Sequence, residues 1–265
     1  MPLNHLKTLY IGGYLVHSAL LNHLSIPVGA SLIQAFKYRG EKFPLPDYLP
    51  RTFANLKNLS DITSLNLCFN SDKKFLRLTG PSGGLRVLAR WKDWAPVSYL
   101  MDRQILRSLG PTPLSDILRL SFSKYKHPSP AEANKCPVLH TLSSTKNLRT
   151  LVLIGCNNQP FILALTPAKS SSTPLLCPNL EEFVLYIWSL DQLHTDLINM
   201  TKNRASIGAK LSSVTIVGVR QLAPAKDVLK LREYVSHVEY RTDDELPAWD
   251  SLPGESNDDG WEWDR

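Results

Sequence analysis

Leu148-Arg-Thr-Leu151-Val-Leu153-Ile-Gly-Cys156 (148–156, LRTLVLIGC) is the stretch whose reading decides the fold. It sets an aliphatic residue, two others, an aliphatic, one other and an aliphatic, then ends on cysteine. The same spacing returns downstream as Leu180-x-x-Phe183-x-Leu185, Leu211-x-x-Val214-x-Ile216 and Val235-x-x-Val238-x-Tyr240. It returns upstream as Leu6-x-x-Leu9-x-Ile11 and Ile62-x-x-Leu65-x-Leu67. A looser copy runs Leu114, Leu118-x-Leu120-x-Phe122. Alternation on a strand sends successive side chains to opposite faces, so each copy buries its aliphatics on one side and presents the residues between them on the other. The central positions 118, 151, 183, 214 and 238 lie 33, 32, 31 and 24 apart, which is room for one strand and one helix per unit.

The segments between the strands fit that plan. Ser189-Leu-Asp-Gln192 has the form of a capping box. It opens an amphipathic helix carrying Leu190, Leu193, Leu197 and Met200, expected to end before Gly208. Helical spacing is also expected over 96–108, stopped by Gly110-Pro111, and over 14–24 and 225–234. Cys156 stands at the Asn/Cys position of a leucine-rich repeat. The fold expected is therefore α/β: a leucine-rich-repeat-like solenoid with a parallel sheet backed by helices.

From Ile62 to Trp91 the repeat breaks into three alternating runs, ITSLNLCF, KFLRLTG and GGLRVLARW. Turn clusters at Asn70-Ser71-Asp72 and Pro81-Ser82-Gly83-Gly84 separate them, and predict an antiparallel β-hairpin inserted near 62–91. Residues 123–137 and 166–178 are rich in Ser, Pro, Lys and Thr and read as surface loops. The solenoid is expected over 1–242, followed by an acidic, largely disordered tail over 243–265.

Charge sharpens that boundary. The 265 residues carry 30 Lys plus Arg and 24 Asp plus Glu, a net +6. Residues 243–265 hold nine acids and one base, so the tail is −8 and the body +14. The tail closes on Trp261-Glu262-Trp263-Asp264, similar to the tryptophan-acidic peptides read by kinesin light chains. No apolar run approaches the roughly 20 residues that span a bilayer. MPLNHLKTLYIGG lacks the basic region, apolar core and cleavage site of a secretion signal. A cytoplasmic or nuclear protein is expected, with no membrane partner and with Cys68, Cys136, Cys156 and Cys177 as thiols.

No catalytic, cofactor-binding or metal site emerges. Gly80-Pro81-Ser82-Gly83-Gly84 fits G-x-S-x-G, but the residues after Ser82 read as a strand where a nucleophile elbow needs a helix. The seven histidines form no HxxxH or HExxH arrangement, and no CxxC occurs. Adjacent Glu181 and Glu182 point to opposite faces of a strand and make no acid/base pair. The expected chemistry is recognition. The odd strand positions form a concave strip whose partner-binding candidates are Tyr10, Asn66, Arg119, Thr150, Val152, Glu182, Tyr186, Thr215, His237, Glu239 and Arg241. The alternative is a nucleic-acid or polyanion binder that uses the +14 body, with Lys202, Arg204 and Lys210 as its test residues.

LNHLSIP (21–27), RLTGPSGGLRV (77–87), CPNLEEFVLYI (177–187), RASIGAKLSSVTIVG (204–218) and LREYVSHVEYRTDDELPAWD (231–250) resemble the C-terminal repeat region of fungal F-box proteins, particularly the expanded set of mushroom-forming fungi. That resemblance implies the substrate-recognition part of a cullin-RING ubiquitin ligase, which binds a protein substrate and catalyses nothing itself. The F-box, a short helical motif typically beginning Leu-Pro-x-Glu, is not in these 265 residues. Binding to the ligase adaptor is then expected only through an F-box outside this chain. The chain itself is expected to be the C-terminal part of a longer protein, or a relative that lost the motif.

Overall fold

The structure is a computed structural model that describes residues 5–13, 21, 23–38, 55–69, 73–91, 109, 114–123, 137–167, 174–187, 193–219 and 226–243. The sheet contains β1 (Thr8–Gly13), β2 (Ser31–Tyr38), β3 (Ser64–Phe69), β4 (Lys73–Gly80), β5 (Gly83–Trp91), β6 (Arg119–Ser123), β7 (Thr150–Ile154), β8 (Glu182–Ile187), β9 (Ser213–Val219) and β10 (His237–Asp243). Three α-helices are described: α1 (Pro137–Ser144), α2 (Gln159–Leu165) and α3 (Leu193–Ser206). Short 3-10 turns lie at Lys57–Leu59, Leu114–Asp116 and Lys226–Glu233. The fold is α/β, with one open sheet in the order β1-β2-β5-β4-β3-β6-β7-β8-β9-β10.

Every neighbouring pair is parallel except β3–β4 and β4–β5, so β4 alone runs against the other nine. The alternating runs at 62–91 are therefore more than a hairpin set beside the repeats. They are a three-stranded meander in the middle of the sheet, with β5 paired to β2 on one side and β3 to β6 on the other.

One sheet face and the helices share the main core. Leu65, Leu67, Leu120, Phe122, Leu151, Leu153, Phe183, Leu185, Val214 and Ile216 line it from the strands, and Leu142, Phe161, Ile162, Leu165, Leu197 and Met200 from the helices. Each such side chain contributes about 1.5–3 kcal/mol relative to exposure. Phe69, Phe122 and Phe161 form an aromatic column through this core, with centroids 6.5 and 5.2 Å apart.

All seven copies of the repeated spacing are strands: β1, β3, β6, β7, β8, β9 and β10. One copy needs correcting. Leu118 is exposed, and the residue in register with Leu151 is Leu120. Ile117 is buried, so the true unit is Ile117-x-x-Leu120-x-Phe122, as regular as the others. The central positions 120, 151, 183 and 214 then lie 31, 32 and 31 apart.

The entry to each strand repeats as well. The amides of Leu118 and Arg119 both donate to Thr63 O, at 2.8 and 3.0 Å. Arg149 and Thr150 share Leu118 O, Glu181 and Glu182 share Arg149 O, and Ser212 and Ser213 share Glu181 O. These bonds staple the starts of β6, β7, β8 and β9 to the neighbouring strand and set their register.

Two helices were not legible as helices. α1 and α2 are eight and seven residues long. In α2, Phe161, Ile162 and Leu165 are buried and Pro160 sits in the first turn, where its missing N–H costs nothing. The expected helix after Gln192 is α3. It closes on Gly208 (φ 80°), with Ala209 N–H donating to Arg204 O and Gly208 N–H to Ala205 O, a Schellman ending. Residues 226–233, expected as helix, form a 3-10 turn. The helices expected over 14–24 and 96–108 fall almost wholly outside the described residues, and the tail from 244 onward does so entirely. Among the described residues, no helix is long and apolar enough to cross a membrane.

Candidate partner-binding face

The face of the sheet opposite the main core is built of three rows that cross all ten strands. The first row runs Thr8, Ser31, Gly84, Thr79, Ser64, Arg119, Thr150, Glu182, Ser213 and His237. The second runs Tyr10, Ile33, Arg86, Arg77, Asn66, Ser121, Val152, Val184, Thr215 and Glu239. The third runs Gly12, Ala35, Leu88, Phe75, Cys68, Ser123, Ile154, Tyr186, Val217 and Arg241. All eleven candidates fall in these rows, so the alternation brings them to one face.

They are not equally accessible. Arg119, His237, Glu239 and Arg241 are exposed, and Tyr10, Asn66, Thr150, Glu182 and Tyr186 are half-buried. Val152 and Thr215 are buried, at 4% and 9% exposure. The reason is lateral packing. Val152, Ile154 and Val184 on adjacent strands form a small second apolar cluster, with Tyr186 packed against it. The surface available on β6–β10 is therefore a rim of polar groups around that cluster.

Two hydrogen bonds organise the rim. Thr150 Oγ1 donates to Glu182 Oε2 at 2.9 Å across the β7–β8 pair. Arg241 Nη2 donates to Tyr186 Oη at 3.2 Å, bridging over β9 from β10 to β8. Burial alone would lower the Arg241 pKa, but the Tyr186 bond and the carboxylates of Asp243 and Glu239 outweigh it and raise the guanidinium above its ordinary value.

The other half of the face is basic. Arg77 and Arg86 sit opposite each other on β4 and β5, and the Arg86 guanidinium lies 5.7 Å from the centre of the Phe75 ring. Both arginines are half-buried, and burial pushes Arg77 below its ordinary value.

The residues weighed for other chemistry have structural places. Ser82 is in the β4–β5 turn, its Oγ donating to Asp61 Oδ2 at 2.9 Å and its N–H to Asp61 Oδ1 at 3.1 Å. Strand β5 follows it, as the sequence implied. Gly83 has φ 126°, and a Cβ there would stand 2.5 Å from Ala30 O, so this turn requires glycine. Cys68, Cys156 and Cys177 are thiols, and burial pushes Cys177 up to about 11. Among the described residues, no three His, Cys, Asp or Glu groups gather as a metal site.

Arg204 is the largest revision. Read as part of a basic polyanion-binding group with Lys202 and Lys210, it is fully buried. Its Nε donates to Ala209 O at 3.3 Å, Nη1 to Leu176 O at 3.2 Å and Leu165 O at 3.5 Å, and Nη2 to Cys177 O at 2.9 Å. The guanidinium closes the end of α3 against the end of α2 and the loop before β8. Lys202 and Lys210 are exposed. The helical spacing 197, 200, 204 could have flagged this arginine, because it continues the buried stripe of Leu197 and Met200.

No protein-family model, curated protein or solved structure matches this chain.

Proposed function

We propose that this chain is a non-catalytic protein-interaction module, a leucine-rich-repeat-like α/β solenoid that binds a protein partner on the open face of its sheet. The observation that carries the reading is the set of strand rows. Seven copies of one spacing, with one backbone staple recurring at the entries of β6–β9, bring eleven separated residues to one face of the sheet. A stacked array that buries one face of its strands against helices leaves the other face for recognition. Tyr186 and Arg241, already joined, are the residue types that dominate interface energies. The resemblance to fungal F-box proteins supports a role as the substrate-recognition region of a cullin-RING ubiquitin ligase subunit. The adaptor would then be engaged only by an F-box outside these residues.

The polyanion alternative loses one of its three test residues, since Arg204 spends its donors on four backbone carbonyls. A photo-reactive amino acid placed at Arg119, His237 or Glu239, compared with one at Lys202 on α3, tests the reading. The same partner should cross-link from the three sheet positions and not from Lys202. Capture from Lys202 alone, or equal capture from all four, overturns it.

A further inference from the structure

The sheet ends at β10, and among the described residues β9 is the one strand that pairs with it. The His237 amide donates to Ser212 O, so in this parallel ladder residues 237, 239, 241 and 243 turn their N–H and C=O towards β9. Val238, Tyr240 and Thr242 turn theirs to the outer side. Natural sheets blunt such an edge with Pro, Lys, a bulge or a covering segment. β10 has seven residues in unbroken one-to-one register with β9, contains no Pro or Lys, and leaves His237, Glu239, Arg241 and Thr242 exposed. Its core-side residues are incompletely covered as well. Val238 and Tyr240 are half-buried, whereas Val214 and Ile216, in register with them on β9, are fully buried. A stacked array keeps its core dry only if its last layer is covered.

The residues of β10 indicate what fits there. On the open face the strand reads His237, Glu239, Arg241, Asp243, base and acid in alternation. We propose that the outer edge of β10 pairs with β10 of a second copy of this chain, antiparallel about a two-fold axis at Tyr240. Glu239 then stands opposite Arg241 and His237 opposite Asp243, each pair occurring twice. These are non-hydrogen-bonded positions, where Cα atoms come to about 4.5 Å and side chains are closest. Val238 and Thr242 fall opposite each other at hydrogen-bonded positions and exchange both main-chain bonds. Moving the axis to Glu239 or to Arg241 sets that residue against its own copy, so the charge pattern selects one register. The bond from Arg241 to Tyr186 occupies one of the five guanidinium donors and is compatible with the pairing. The other end of the sheet lacks such a pattern, because β1 (TLYIGG) has no charged residue and closes on two glycines. The interface is isologous and closes after two copies. Its axis runs perpendicular to the sheet, so both open faces lie on the same side of one continuous sheet, whatever partner that face binds.

Sedimentation equilibrium of the full chain over a concentration series tests the interface. The parent chain should reach a dimer. Glu239→Arg alone and Arg241→Glu alone each set like charges opposite one another and should weaken dimerisation at least tenfold. An equimolar mixture of those two variants restores opposite charges across the pair and should dimerise about as tightly as the parent. Thr242→Pro removes an outer N–H, leaves the ladder to β9 intact, and should weaken the dimer while the far-UV circular dichroism stays that of the parent. A parent chain that stays monomeric up to its solubility limit, single variants that dimerise as tightly as the parent, or a mixture no tighter than its components each overturns the proposal. Since both single variants must be folded for the mixture to recover, that arm separates a lost interface from a lost fold.

Discussion

The two halves of this sheet solve the same packing problem with different polar groups. In the β6–β10 half, the buried polar residue that ties adjacent units is Arg204, whose donors reach four carbonyls. In the β1–β5 half it is Asn58, also fully buried, whose Nδ2 donates to Ala30 O at 3.1 Å and Gly84 O at 2.9 Å. Asn58 thereby joins the starts of β2 and β5, the pair made adjacent by the meander. Neither half is fully satisfied. Asn58 Oδ1 and both amide atoms of Gln34, fully buried on the core side of β2, have no hydrogen-bond partner in the first half, and Ser123 Oγ and Asn158 Oδ1 have none in the second. The difference lies in reach: the long guanidinium spans a helix end and a loop, and the short amide spans two neighbouring strand starts.

The largest effect that sharpens this contrast is expected from Arg204→Met. It leaves buried carbonyls without donors and should cost about 3–5 kcal/mol in urea unfolding. A loss under about 1 kcal/mol would mean that water replaces the guanidinium and that the two halves are equally tolerant.

Cys177 gives the next effect, through pH. Its thiol pKa is raised from 9.0 to about 11, because burial outweighs the Thr145 bond and the nearby Arg204 charge. The folded state holds the proton more tightly than the unfolded one. The associated stability is fully present below about pH 9 and is lost as pH rises through about 11. Two pH units correspond to about 2–3 kcal/mol. Urea midpoints measured from pH 8 to 11 should fall more steeply for the parent chain than for Cys177→Ala.

Gln34→Leu should move the other way. Removing an unpartnered buried amide from the first half should stabilise the protein by about 1–2 kcal/mol. A destabilisation would show that Gln34 is bonded in solution.

The smallest effect is expected at the rim. Tyr186→Phe removes the bond to Arg241 at an exposed site and should change stability by less than about 0.5 kcal/mol. Any larger change, read as a melting shift of several degrees, would make Tyr186 a packing residue ahead of a contact residue.

The seven repeated strands could be read from spacing because each places aliphatics at the same three positions and burial demands nothing more. β2 escaped that reading for a reason visible in its register. Gln34 stands where β1 has Ile11 and β5 has Val87, so an amide hides the pattern at its last aliphatic position. Leu118 misled the spacing because it is an exposed leucine directly after the buried Ile117. The eleven face residues could be placed on one side by alternation alone. Their accessibility could not, since Val152 is covered by its neighbours on the next strand and no local pattern records that.

Local periodicity, then, settled the α/β class, the positions of every strand but β2 and which side chains share a face, because alternation is a property of each strand taken singly. Strand order, the reversal at β4 and the burial of Arg204 depend on which elements lie side by side. Those are contacts between residues tens of positions apart, and only chain packing brings them together.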